Sequence, residues 1–237
     1  MGVRTAVSIV SEWNLKQKHL KEIIRKAEKF GEAKELFLSM HGTVHFAEVS
    51  NAKEATVMDK FVNGLLERDY AIMPTDKDVT IAWNIWHITR IEDLTINVLV
   101  NQLEQVLNND WLARLKVNVT DTGNAMTDDE IMDFSKYINI GQLLKYRTAV
   151  GVQTQKILSS LKYEDMKRKI EKKDTEKILN YGGILNKPDS IWLLDFWGKK
   201  DVAGIILMPI TRHQIVHLND CFYLKQAINK KKTFYRV

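Results

Sequence analysis

Apolar residues recur every three or four positions along most of the chain, which is the spacing of a helix with one buried face. This spacing predicts helical segments at residues 12–29, 32–69, 79–107, 127–161 and 201–230. Interruptions are predicted near Ser50-Asn51 and at Gly141, with loops after Pro74 and over residues 117–125. Four long helices and one extra N-terminal helix predict an all-α bundle with long connections.

Local signals mark where some of these segments begin or break. The sequence Thr127-Asp128-Asp129-Glu130 is a capping box, in which the first and last side chains satisfy the free amides of a starting helix. Tyr181-Gly182-Gly183 and Pro188 mark an irregular region before the last helix. Pro209 lies inside the last helical pattern and is predicted either to begin its regular part or to kink it, because proline cannot donate to the preceding turn.

Composition is consistent with a helical globular protein. Of the 237 residues, 45% are hydrophobic and 27% charged, and only 3 prolines and 11 glycines occur. The net charge is +5, but the densest basic stretch, residues 162–177, mixes its Lys and Arg with Asp and Glu. Mixed blocks of this kind are typical of a solvated helix face or a linker, so we do not expect a nucleic-acid partner.

The chain carries no sign of a membrane or of an oxidising compartment. Cys221 is the only cysteine, which excludes an intrachain disulfide and permits a reducing compartment. No segment reaches the ~20 apolar residues that a membrane span requires, and the N-terminal residues lack a signal-like apolar core. We therefore expect a cytoplasmic protein without a membrane partner.

Three of the six histidines fall on predicted inward faces of two helices. His213 and His217 are four residues apart on the apolar stripe of the last helix, and His87 has Trp83 and Leu94 among its helical neighbours. Three converging imidazoles would suit Zn²⁺, Ni²⁺ or Fe²⁺ and would leave positions open for another ligand. The residues alone equally permit core histidines that are bonded to carbonyls or carboxylates, because nothing local shows that the two helices meet.

Two segments carry these histidines. The first is Trp86-His87-Ile88 with Arg90-Ile91-Glu92-Asp93, and the second is Arg212-His213-xxx-His217-Leu218-Asn219-Asp220. In this order, the two segments resemble the DinB/YfiT-like superfamily. The resemblance spans roughly residues 32–230. It implies a four-helix bundle that binds a divalent metal through His87, His213 and His217, and a homodimer. It also divides the chain into an N-terminal helical extension, 1–30, and a DinB-like domain, 31–237.

The neighbours of the three histidines have alternative roles. Arg90 shares the face of His87 and is a candidate to bind an anionic group of a substrate, or else an ion-pair partner of Asp93. Trp83 is a candidate wall of a substrate pocket or an ordinary core residue. Asp220 follows His217 by three residues and either orients its ring or faces solvent. Glu92, like Asp93, is a candidate to brace a neighbouring loop.

Two further features lie beside the pattern. His41 and His45 form a second pair four residues apart, and we interpret them as half-exposed interfacial polar residues rather than as proton carriers or cavity-lining groups. Cys221 continues the stripe of His213 and His217 and is interpreted as a small buried hydrophobic residue, although a thiolate there would be a strong ligand.

The resemblance implies thiol-dependent S-transferase or isomerase chemistry, or metal-dependent hydrolysis, on a small-molecule substrate. We therefore expect an enzyme in which the metal activates a low-molecular-weight thiol or a water. The alternative is a non-catalytic protein that binds a metal or a small ligand in a stress response. A basic module that binds nucleic acid is a third reading, which the balanced charge blocks disfavour.

Overall fold

The structure is a computed structural model that describes residues 6–75 and 79–230, with side chains from residue 10 onward. The predicted loop after Pro74 runs into residues 76–78, which lie outside the described residues. The α-helices are α1 Ala6–Ile23, α2 Phe30–Thr43, α3 Ala47–Ser50, α4 Val57–Val62, α5 Ile81–Asp93, α6 Asn109–Leu115, α7 Asp128–Tyr137, α8 Ile140–Ser160, α9 Lys172–Asn180, α10 Pro188–Gly198, α11 Val202–Ile205 and α12 His213–Asn229. Two π-helical segments, Leu94–Val100 and Ile206–Arg212, continue α5 and join α11 to α12.

Four long helical elements form the bundle. Helix α5 packs against α8 on one side and α12 on the other, and α2 packs against α8 and the π-helical segment that precedes α12. The connections between these elements hold the shorter helices. Within the described residues no strand is present, and the single β-bridge joins Lys169 to Asp201. The predicted all-α bundle with long connections is confirmed.

The extra N-terminal helix is present and packs on the bundle. Helix α1 contacts α12 and α2, and its buried side chains Trp13, Leu20 and Ile23 belong to the same apolar core as the bundle helices. The next bundle helix, α2, begins at Phe30, close to the predicted boundary between the extension and the main domain. The division at residue 30 stays a prediction.

The predicted helical segment 32–69 has the expected interruption near Ser50-Asn51 and further breaks that were not predicted. Helix α2 ends at Thr43, and a second short helix, α3, ends where Asn51 adopts the left-handed conformation with φ 53°. A capping box at Thr56 then starts α4. The sequence signal near Ser50-Asn51 marked one of these breaks, because asparagine tolerates positive φ better than most residues.

Other helix ends agree more closely. The capping box at Thr127 starts α7 and is confirmed. The predicted break at Gly141 lies at Asn139 instead, whose side chain accepts a hydrogen bond from the Gln142 amide at 3.0 Å and caps α8. The predicted helix 79–107 begins at Ile81 and ends earlier, since Gln102 has φ 56°.

Pro209 does not begin the regular part of the last helix, which corrects one of the two expectations. It lies inside the π-helical segment Ile206–Arg212, and the regular helix α12 begins four residues later at His213. The Thr211 hydroxyl donates to the Ile206 carbonyl at 2.9 Å within this turn. The segment leads directly into His213, the first residue of α12.

The charged stretch and the residues after it are more helical than the pattern indicated. Helix α9 lies in the charged stretch, and α10 follows the irregular residues 181–187. Balanced charges hid the first of these helices because few apolar positions remained to show a period. Among the described helices, none is long and apolar enough to cross a membrane.

Candidate metal centre

Helices α5 and α12 bring His87, His213 and His217 together. One donor atom from each of the three side chains lies within 4.8 Å of the other two. The ring centroids are 5.0 Å apart for His87 and His213, 4.8 Å for His87 and His217, and 4.5 Å for His213 and His217. His87 thus converges on one point with histidines at least 126 positions away in the sequence, which the spacing on each helix permits.

Hydrogen bonds fix the orientation of two of these rings. His87 Nδ1–H donates to the Thr122 carbonyl at 2.7 Å, and His217 Nδ1–H donates to Asn84 Oδ1 at 2.7 Å. Since a neutral imidazole has one N–H and one lone pair, Nε2 of both rings carries the lone pair. Metal-binding histidines are held in this way by oxygen acceptors on the far side of the ring.

The loop that supplies the Thr122 carbonyl is itself held by two tryptophans of α5. Trp86 Nε1 donates to the Asp121 carbonyl at 3.0 Å, and Trp83 Nε1 donates to the Gly123 carbonyl at 3.1 Å. Gly123 has φ 78°, and a Cβ there would lie 2.7 Å from Trp83 Nε1, so the close approach of the loop to α5 requires glycine.

Burial keeps the three imidazoles neutral. Desolvation lowers the pKa of His87 to about 4 and that of His217 to about 3, and it lowers the pKa of His213 well below its usual value. The neutral form is the one that binds a metal. His87 Nε2 and His213 Nε2 lie only 3.2 Å apart. Because His87 Nε2 carries a lone pair, His213 Nε2–H donates to it in the metal-free protein, and the buried His213 Nδ1 has no hydrogen-bond partner. The separation of 3.2 Å is close to the ~3.3 Å between two ligands of a tetrahedral ion with bonds of about 2.0–2.1 Å, so the residues fit a divalent metal.

The predicted pocket residue Trp83 lies against the cluster. Its ring stacks on His87 with a centroid distance of 4.6 Å and an interplanar angle of 8°. On its other side it packs with Met73 and Ile131 in a small apolar cluster. His213 and His217 are partly exposed, whereas His87 is buried. Access from solvent is therefore on the side of the α12 histidines.

Arg90 is not brought to the cluster. It is fully buried, and its five N–H groups donate to the Thr120 carbonyl twice, to Asp93, to Gln105 and to Tyr146. The ion pair with Asp93, at 2.9 Å, is the alternative role that the sequence left open. With all its donors engaged, Arg90 holds the loop at Thr120 next to the residue that orients His87.

Asp93 and Glu92 have different roles. Asp93 accepts from the backbone amides of Val106 at 2.7 Å and Leu107 at 3.0 Å and so braces the loop after the π-helical segment, as its sequence position suggested. Glu92 instead faces two histidines: its two oxygens lie 2.8 Å from His41 Nε2 and 2.9 Å from Nε2 of His45, which lies in the turn after α2.

The interpretation of His41 and His45 as half-exposed is wrong. Both side chains are 0% exposed. Burial is tolerated because Glu92 bonds to both rings and Gln155 Nε2 donates to His41 Nδ1 at 2.8 Å.

Asn84 orients His217, and the sequence interpretation missed it. Asp220, the candidate for this role, is exposed, whereas Asn84 is buried three residues before His87 on the same face of α5. That spacing was the available signal, because positions three apart on a helix are neighbours. Thr122 acts through its carbonyl, which no side-chain pattern reveals. Cys221 is fully buried in the core with a raised thiol pKa caused by desolvation, as the hydrophobic interpretation predicts.

Comparisons with known proteins support the assignment of a family. A search of curated proteins finds no match. A family model described as the DinB superfamily matches residues 52–220, which is more than half of the chain and includes the three clustered histidines but neither His41 nor His45. The chain belongs to the DinB superfamily.

Proposed function

We propose that this protein is a metal-dependent enzyme in which His87, His213 and His217 hold a divalent ion that activates a thiol or a water for S-transfer or hydrolysis. The observation that carries the proposal is a donor set of three neutral imidazoles on one point, with no fourth His, Cys, Asp or Glu in that group among the described residues. Catalytic metal sites have three protein ligands and keep a position open, whereas structural sites are closed.

The bound ion, Zn²⁺, Ni²⁺ or Fe²⁺ by its nitrogen ligands, would lower the pKa of a water or thiol to near neutrality. The protein residues prepare the site. Asn84 and the Thr122 carbonyl hold two rings with their lone pairs directed inward. Trp83 covers one face of His87 and excludes water from it. A small substrate or a low-molecular-weight thiol would enter beside the partly exposed His213 and His217. The homodimer and the cytoplasmic location remain part of the proposal.

Metal content of the purified protein tests the site. We expect about one equivalent of divalent metal bound at this site in the wild type and its loss in His217→Ala. The matched control is His19→Ala, because His19 is an exposed histidine that pairs with Glu32 on the surface. Equal metal content in wild type and His217→Ala would contradict metal binding at this site.

Turnover separates the enzyme from a binding protein. Metal-loaded and metal-free wild type are assayed for thiol conjugation and for ester or amide hydrolysis over a broad substrate panel. We expect turnover by the metal-loaded wild type only, and none by His217→Ala after incubation with the same metal. Stoichiometric metal without turnover on any substrate would contradict the enzyme and leave the non-catalytic metal-binding or ligand-binding protein as the function.

A further inference from the structure

A second histidine cluster lies inside the bundle, away from solvent. His41 is in the last turn of α2, His45 is in the turn that follows, and Glu92 faces them from α5. All three side chains are 0% exposed, and one donor atom from each lies within 4.8 Å of the others. The two imidazole rings are tilted against each other with centroids 4.4 Å apart.

Helix α8 is shaped to admit these rings. A Cβ on Gly151 would lie 2.5 Å from His45 Nδ1, so the ring occupies space that any other residue at this position would fill. His45 Nδ1 is buried and has no hydrogen-bond partner. One turn further along α8, Gln155 contacts His41. The cluster is thus enclosed by the three helices α2, α5 and α8.

We propose that His41, His45 and Glu92 form a second metal site, which binds a first-row divalent cation through two imidazole nitrogens and one carboxylate. Nitrogen–oxygen separations of 2.8 and 2.9 Å between Glu92 and the two rings are close to the ~3 Å expected between neighbouring ligands with bonds of about 2.0–2.2 Å. Two imidazoles and one carboxylate suit Fe²⁺, Co²⁺ and Zn²⁺. The inference is independent of the proposed function, which rests on the other histidines.

Binding here moves protons within the rings. In the metal-free protein Gln155 Nε2 donates to His41 Nδ1, so the proton of that neutral ring is on Nε2 and is donated to Glu92. Metal ligation through Nε2 transfers the ring proton to Nδ1, and the ring stays neutral, so no proton is released. The Gln155 amide must then turn its oxygen to His41 and give up its bond to the Leu38 carbonyl, at 3.0 Å.

Charge also sets the strength of this second site. Arg147 is fully buried on α8 and interacts electrostatically with Glu92 and His45. It balances the Glu92 carboxylate in the metal-free protein, so an added cation meets a positive neighbour. Together with the turn of Gln155, this makes the second equivalent of metal bind more weakly than the first.

A surface pocket supplies a route to the cluster. The pocket has a volume of about 650 Å³ and is lined by Gly42, Thr43 and Gln155 among other residues. Gln155 therefore contacts the pocket on one side and His41 on the other. Movement of this one side chain would open the path that a buried metal site needs.

Titration with Co²⁺ tests the proposal. We expect wild type and His19→Ala to bind two equivalents, the second more weakly, and the double variant His213→Ala/His217→Ala to retain one. In that retained site the X-ray absorption spectrum is expected to show mixed nitrogen and oxygen ligands. Adding Glu92→Gln to the double variant should remove the remaining equivalent.

Other outcomes are decisive in either direction. Saturation of the wild type at one equivalent, with none left in the double variant, would overturn the second site and leave the first intact. In another outcome, the double variant binds one equivalent whereas Glu92→Gln binds none. That result would establish the second site, and it would do so even if the wild type lacks the first site. Should Glu92→Gln fail to fold, the double variant alone decides, because it leaves the buried cluster unaltered.

Discussion

The two histidine clusters differ in what lies on the far side of each imidazole. In the cluster of His87, His213 and His217, two rings donate Nδ1–H to uncharged oxygens, so Nε2 of each ring carries a lone pair, which for His87 accepts a hydrogen from His213. In the cluster of His41, His45 and Glu92, both Nε2 atoms face a carboxylate. The first cluster is therefore ready for a cation, whereas the second already contains a charge that its own protons and Arg147 stabilise.

This difference shows that histidine spacing alone does not define a site. Both clusters contain a pair four residues apart, and both are brought against α5. The chemistry of each cluster depends on whether the second nitrogen of a ring bonds to an oxygen acceptor, and on whether solvent reaches the ring. In the metal-free protein we expect the first cluster to contribute little to the stability of the bundle and the second to contribute more.

The largest expected effect is on stability, from Glu92→Ala. Removal of the carboxylate leaves two buried rings and the buried Arg147 without the anion that stabilises them, which costs about 3–5 kcal/mol of the free energy of unfolding. His217→Ala in metal-free protein should cost less than about 1.5 kcal/mol, since it breaks one hydrogen bond of a partly exposed ring. Urea unfolding of both variants measures the comparison. Equal losses would show that the two clusters do not differ in structural role.

The next effect comes from metal addition. A cation that binds the three-histidine cluster of the folded state should raise the free energy of unfolding by about 2.7 kcal/mol at a free concentration 100 times the Kd. The increase should vanish in His213→Ala/His217→Ala at concentrations that load only the stronger site, while His19→Ala keeps it. Thermal or urea unfolding with and without metal gives the values. An unchanged increase in the double variant would place the binding elsewhere.

The first of the two histidine clusters could be predicted from the sequence, whereas the second could not. The helical period of α5 and α12 placed His87, His213 and His217 on inward faces, and the structure brings them together. The second cluster was misjudged because Glu92 is 51 and 47 positions from its histidine partners. A local pattern cannot show that a distant carboxylate will satisfy a buried imidazole.

Local sequence patterns likewise predicted only part of the fold. The bundle followed from apolar spacing, and the capping box at Thr127 located a helix start. The π-helical segment around Pro209 was not predicted, because apolar spacing indicates a helix but does not distinguish a π-helical turn from an α-helical one. Helix α9 was hidden because its charged residues outnumber its apolar ones.

A smaller effect is expected from pH in metal-free protein. Burial lowers the pKa of His217 from 6.5 to about 3, so below pH 6.5 the unfolded state takes up a proton that the folded state refuses. The free energy of unfolding should therefore fall as the pH decreases from 6.5 to 5.5, by up to about 1.4 kcal/mol for each such ring. His217→Ala should reduce that slope in a series of urea titrations with chelator present. A slope that is unchanged in the variant would mean that His217 is charged in the folded protein.

The effect that isolates ring orientation is expected from Asn84→Ala. Asn84 touches no metal, but it accepts the Nδ1 hydrogen of His217 and so keeps the Nε2 lone pair directed inward. Loss of such a partner lowers metal affinity about 10–100-fold, which a competition titration with a chelator measures. Asp220→Asn is the control, because this exposed residue changes the charge near His217 without removing the acceptor. If Asp220→Asn weakened binding as much as Asn84→Ala, local charge rather than the orientation of the ring would control affinity. Unchanged affinity in both variants would mean that His213 and His87 alone position the ion.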